Sequence, residues 1–202
     1  MQLLMREVNH RAKNMLAVVQ GIARQTVAAN PGDFIERFGE RIQALAASQD
    51  LLVKNEWKGV NLHELARSQL GHFKDLIGTR IKLHGPAVLV SASAAQALGM
   101  ALHELATNAG KYGALSDSSG RVGVSWSLEP GEAGREIFAI GWRERGGPAV
   151  MAPASPGFGS TVLRRVAKES LQAQVELDYA STGLVWQLQC PAGEVMETGG
   201  SA

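Results

Sequence analysis

Apolar positions recur along this chain at two periods, and the switches between them mark its elements. Leu4, Val8, Ala12, Met15, Val19 and Ile22 form one stripe of a long helix over 3–29, widened by Leu16 and Ala23. Asn30-Pro31-Gly32-Asp33 interrupts it, and Asp33 is the expected cap of a second helix over 34–53. Phe34, Phe38, Ile42, Leu45 and Leu52 align on that helix. The pair predicts an antiparallel hairpin. Its stripes bury poorly alone, so two copies in a four-helix bundle are the economical solution. The alternative packs the hairpin on the remainder of its own chain.

Asn61 is placed to cap a helix over 62–73, and a strand pair is expected at 81–84 and 87–90, separated by Gly85-Pro86. Leu98, Ala101, Leu102, Leu105 and Ala109 return to the helical period. Tyr112-Gly113 ends that helix, with Gly113 expected in the left-handed cap conformation. Val122, Val124, Trp126 and Leu128 alternate strictly, and 136–142 is a denser apolar strand. Residues 145–159 have no period. A helix over 161–171 and a hairpin of strands 175–179 and 184–190 follow. The fold class is α+β: a helical hairpin over 1–56, an α/β sandwich with helices on one face of a mixed sheet over 57–193, and a small polar tail over 194–202.

Glu104, Asn108 and Lys111 lie at i, i+4 and i+7, opposite the apolar stripe, with Thr107 at the border and His103 further round. An amide oxygen can ligate a hard cation, a carboxylate can hold its waters or a proton, and an ammonium can meet phosphate oxygens. The bland alternative is an amphipathic helix with ordinary surface polar groups.

Composition narrows the classes. The 202 residues carry 20 basic and 19 acidic side chains, a net charge of +1, which argues against generic nucleic-acid binding. One cysteine, Cys190, excludes an internal disulfide framework and fits a reducing compartment. There is no run of apolar residues long enough to span a membrane and no signal peptide, so a cytoplasmic location is expected.

The wording HELATNAGKYGALS, over 103–116, resembles the N-box of histidine-kinase ATP-binding domains, and specifically the HWE family of sensor histidine kinases. That family is named for a His in this box and a Trp-x-Glu downstream, matched here by His103 and Trp142-Arg143-Glu144. The resemblance runs from about Leu4 to Pro191 and rests on several motifs together. It implies an enzyme, a protein-histidine kinase, with ATP and Mg²⁺ as cofactors. Asn108 would hold the metal, Lys111 and Tyr112 would contact the nucleotide, and Glu104 would serve the chemistry. Glu144 followed by Gly146 is similar to an Asp-x-Gly-x-Gly box whose carboxylate accepts from the adenine amino group, with Glu in place of Asp and Pro148 in place of a glycine. Trp142 is expected as a core wall beside the nucleotide.

Gly157-Phe158-Gly159-Ser160-Thr161 opens a helix, where exposed amides favour phosphates, and closes a stretch from Gly146 that is expected to act as a lid. His10, within Glu7-Val8-Asn9-His10-Arg11-Ala12-Lys13-Asn14, faces away from the apolar stripe, as a phosphoacceptor must, and this segment resembles the family's phosphoacceptor box. Arg11 stands where commoner histidine kinases carry an acid. Glu7 or Glu104 would then orient or deprotonate the ring. Asn14, one turn beyond His10, is a candidate to position water against an aspartyl phosphate. The implied partners are a response-regulator receiver domain, a second copy of the chain and an upstream sensor domain absent from it. The rival readings are a non-catalytic phosphotransfer adaptor and a serine kinase of the same superfamily. His63, His72, His84, Cys190, Arg164-Arg165 and Trp57 are read as structural or surface residues.

Overall fold

The computed structural model describes residues 15–24, 26, 31–131, 134–150 and 158–197. His10, Glu7, Asn14 and Gly157 lie outside them, as does most of the first expected helix and of the lid. The chain divides into two compact units, Met1–Gln43 and Ala44–Ala202, and the division falls within a helix.

In the first unit, residues 15–24 are helical (α1), and α2 (Pro31–Lys54) begins. α2 starts three residues before the expected Phe34. Pro31 occupies its first turn, where a missing N–H costs nothing, and Asp33 lies inside the turn rather than capping it. Thr26 is buried and receives a hydrogen bond of 2.8 Å from Nη1 of Arg41, while its own hydroxyl donates to the Ile22 carbonyl at 2.6 Å. Phe34 and Phe38 stack with ring centroids 5.7 Å apart. Ile22 is buried, whereas Met15 and Leu16 are 36% and 61% exposed, so the first helix's apolar stripe is only partly covered, and Ile35, off the second helix's stripe, is exposed as well.

The second unit holds β1 (Val60–Asn61), α3 (Leu62–Gln69), a 3₁₀ segment Gly71–Leu76, β2 (Ile81–His84), β3 (Leu89–Val90) and α4 (Ala92–Lys111). Then come β4 (Arg121–Pro130), β5 (Glu136–Arg145), the short helices α5 (Phe158–Thr161) and α6 (Ala167–Leu171) joined by a π-turn, and the hairpin β6 (Gln174–Ala180) and β7 (Gly183–Pro191). Asn61 caps α3 as expected, its side chain accepting from the His63 N–H at 2.9 Å. The regular helix stops at Gln69, earlier than the expected 73.

Five strands form one mixed sheet in the order β2-β4-β5-β7-β6, with β2 parallel to β4 and every other pair antiparallel. The expected pairing of the strands around Gly85-Pro86 does not occur. β2 pairs with β4, and β3 pairs antiparallel with β1 in a separate two-stranded sheet. On the covered face, Val124, Trp142, Trp186 and Leu177 form one row across the sheet. The Trp186 indole donates to the Leu163 carbonyl at 2.9 Å, which ties this face to the helical layer. Leu98, Leu102 and Leu105 of α4 are fully buried with these rows in a single core. Each such leucine contributes about 1.5–3 kcal/mol.

Two of the residues read as structural, His63 and Cys190, are packed as expected. His63 packs edge-on against Trp126, with its Nε2 3.2 Å from the Gly85 carbonyl. Cys190 is buried, and burial pushes its thiol pKa up to about 12. Among the described residues, no helix is long and apolar enough to cross a membrane.

Candidate active site

The polar face of α4 is sheltered. Glu104 and His103 are buried, Thr107 and Asn108 are half-buried, and Lys111 and Tyr112 are exposed at the helix end. A carboxylate at 8% exposure is not an ordinary surface group. Gly159, in α5, lies directly against it. A Cβ on Gly159 would stand 3.0 Å from Oε2 of Glu104 and 3.5 Å from Nδ2 of Asn108. The glycine-rich segment and the polar stripe, fifty residues apart in sequence, thus share one spot, with Ser160 and Thr161 half-buried beside it. Here the missing side chain leaves backbone, carboxylate and amide within reach of the same bound group.

One turn on, α4 ends differently from the expectation. Gly113 has φ −108° and ψ −152°, so it is not a left-handed cap. Tyr112 takes the cap position, and the Gly113 N–H donates to the Asn108 carbonyl at 3.0 Å. Glycine is required there for a tertiary reason: a Cβ would collide with Oε2 of Glu144 and approach the Ala109 Cα to 2.9 Å.

Glu144, near the end of β5, is 3% exposed. Its Oε2 accepts from the Ala114 N–H at 2.7 Å and its Oε1 from the Trp142 indole at 3.1 Å. Burial raises its carboxyl above the usual range, and those two hydrogen bonds pull the other way. Trp142 itself is fully buried, a core wall. Gly147 follows closely, since a Cβ there would come within 2.5 Å of the Ala114 Cα. Gly146 has φ +69°, a conformation that favours glycine, and its carbonyl accepts from the Ser119 hydroxyl at 2.9 Å.

Sequence reasoning missed Arg80. Its Nε donates to the Gly120 carbonyl at 2.8 Å, and its Nη2 to the carbonyls of Ala114, at 3.2 Å, and Asp117. Residues 113–120 are therefore held between Glu144 and Arg80, each from a different part of the chain. A lone arginine ahead of an apolar strand carries no sequence signal for this task.

A mixed five-stranded sheet with one helical face, whose central helix turns a buried glutamate and a half-buried asparagine toward a glycine-containing helix start, has the ATPase fold of histidine-kinase catalytic domains. Among solved structures, the blue-light activated histidine kinase of Erythrobacter litoralis superposes with a TM-score of 0.63 at 21% identity, over 94% of this chain and 59% of that one. The histidine kinase domain from the same protein superposes at 0.56 and 17% identity, over 92% of this chain and 95% of that one.

The model of the HWE histidine kinase family matches residues 7–87, and that stretch of the chain belongs to the family. A blue-light-activated histidine kinase of Brucella ovis is 38% identical over 191 residues, and one of Brucella anthropi is 39% identical. Those alignments cover 94% of this chain, so they extend through α4 and β5, but the chain spans only 39% of the length of these relatives.

Proposed function

We propose that the chain is the catalytic core of a sensor histidine kinase that moves the γ-phosphoryl of ATP to His10 and then to an aspartate of a response-regulator receiver domain. The contact of Gly159 with Glu104 and Asn108 carries this reading, because it joins two separate motifs at a point suited to a metal–polyphosphate.

In this reading, Asn108 offers its amide oxygen to Mg²⁺, whose charge would offset that developing on the phosphoryl oxygens. Lys111 and Tyr112, exposed at the end of α4, meet the nucleotide as it arrives. The amides of the segment from Gly157 to Thr161 hold the phosphates. Glu144 with Gly146 lines the adenine end, its second lone pairs still able to accept. A ring nitrogen of His10 forms the new bond to the γ-phosphorus as the bond to the β,γ-bridging oxygen breaks and ADP leaves. Glu7 or Glu104 receives the ring proton. Asn14 would later position water for loss of phosphate from the receiver. The exposed Met15, Leu16 and Ile35 support pairing with a second copy of the chain, since an open apolar stripe on a helical pair favours a bundle.

Incubation with γ-labelled ATP and Mg²⁺, followed by acid and base treatment, tests the assignment. Label on wild-type protein should be lost in acid and survive base, and His10→Gln should abolish it while nucleotide affinity stays within about twofold, since acceptor and nucleotide groups lie far apart in sequence. Base-stable label on the variant would assign the acceptor to another histidine, and acid-stable label would favour a serine kinase.

A further inference from the structure

The uncovered face of the sheet carries a feature that the kinase reading does not use. Arg121 of β4 stands directly opposite Arg145 of β5, and in the next row on that face Lys82 and Arg143 flank Gly123. All four cationic side chains are exposed. They edge a shallow concavity of about 540 Å³ that contains no carboxylate. Like charges set opposite each other on neighbouring strands are destabilising. Arg121, Arg143 and Arg145 nevertheless make no ion pair among the described residues. On the row through Arg143, the first acidic residue is Asp178, beyond Val185 and two strands away.

The floor is as informative as the rim. Gly123 and Gly141 sit in the interior of β4 and β5, where glycine weakens a strand. Nothing lies within 4 Å of a Cβ built on Gly123, and its φ is ordinary, so neither space nor conformation demands glycine there. What its absence of side chain does leave is room for another backbone to come down onto the sheet between the arginines.

We propose that this face binds a carboxylate-rich polypeptide segment of a partner protein, laid across Gly123 and Gly141 with its acids on Arg121, Arg143 and Arg145. Nucleic acid is disfavoured because no exposed Phe, Tyr or Trp side chain lines the concavity to stack on bases: Trp142, which borders it, is fully buried, and His84 is the one exposed ring in its lining. A free phosphate is a poor fit to charges spread over separate strands on an open surface. The proposal does not rest on the kinase reading.

Binding of a fluorescein-labelled peptide alternating glutamate and glycine to the full chain, followed by anisotropy at low salt, tests it. Arg121→Ser with Arg145→Ser should weaken binding about tenfold, as for loss of complementary charges. Gly123→Leu, which keeps every charge but fills the floor, should weaken it about fivefold. Arg67→Ser with Lys74→Ser removes the same charge at other exposed positions and should change affinity by less than about twofold. Self-labelling with ATP should be unchanged in all three. Equal losses in test and control pairs, full affinity in Gly123→Leu, no binding by wild-type protein, or tighter binding of an oligothymidylate of matched charge would each overturn the proposal.

Discussion

Two consecutive stretches, the polar face of α4 and the turn that follows it at 113–120, put similar residues to different ends. Each has a buried glutamate against a glycine, Glu104 from α4 itself with Gly159, and Glu144 from β5 with Gly113. Glu104 and Asn108 lie close against Gly159, where a Cβ would come within 3.0 Å of the carboxylate, and Lys111 and Tyr112 are exposed at the helix end. In the turn, Glu144 and Arg80 engage the backbone of Ala114, Asp117 and Gly120 through fixed hydrogen bonds. In the proposed function the first stretch receives the metal–polyphosphate, whereas the second is held by fixed hydrogen bonds. Rigid support next to an adaptable contact is what positioning of a reactive phosphate requires.

Substitution can pull the two apart. The largest effect is expected at Gly113→Ala, where the new Cβ meets the Glu144 carboxylate and the Ala109 backbone, neither of which is a free side-chain end. It should cost about 2–4 kcal/mol in urea unfolding. Gly123→Ala, with open space above it, should instead be neutral or stabilising by about 0.5–1 kcal/mol. Similar costs at the two glycines would mean that the turn is not locked as described.

Next in size, Asn108→Asp should lower Mg²⁺-dependent labelling about tenfold, because an added charge alters ligand geometry and proton balance. The unfolding midpoint should stay near wild type, since Asn108 is only half-buried. Unchanged labelling would make the α4 face an ordinary surface.

The smallest effect concerns Glu144. Its folded pKa is raised, so the stability linked to it is full below its unfolded value near 4.5 and is lost as pH climbs through the folded value. Glu144→Gln removes the ionisation but leaves one of the two N–H donors without an acceptor, so it should be less stable than wild type at the acid end. It should then gain on wild type as pH rises, by about 1 kcal/mol or less because two hydrogen bonds already offset the burial. Parallel stability profiles from acid to neutral pH would show that this carboxylate is not strained by its surroundings.

Much of this architecture was legible from local pattern. The stripe from Leu98 to Ala109 is buried as its period requires, and the alternation of Val122, Val124 and Trp126 marks β4's covered face. Three misreadings share a cause, namely that the deciding contact is remote or has a local rival. Two apolar segments around Gly85-Pro86 look like a hairpin, but the partner of β2 begins forty-one residues later, at Val122 opposite Ile81. The helix ends at Tyr112-Gly113 as its pattern predicts, but what requires glycine at 113 is a carboxylate from β5 and not a left-handed cap. Asp33 is a good cap in isolation, but Pro31 is better suited to the first turn. Arg80 left no trace at all, because backbone carbonyls at 114, 117 and 120 have no sequence signature.

The placement of Arg80 also has a consequence for the order of assembly. The hairpin β4–β5 closes over a short turn and β6–β7 over Ser181-Thr182, so both should form early. The pairings β2–β4 and β5–β7 span some forty residues or more and should follow, since distant segments must first lose loop entropy. Arg80 immediately precedes β2 and arrives with it. The turn at 113–120 is then fastened only in the late group of events, and the nucleotide binding proposed above should appear with the slow folding phase rather than with the first collapse.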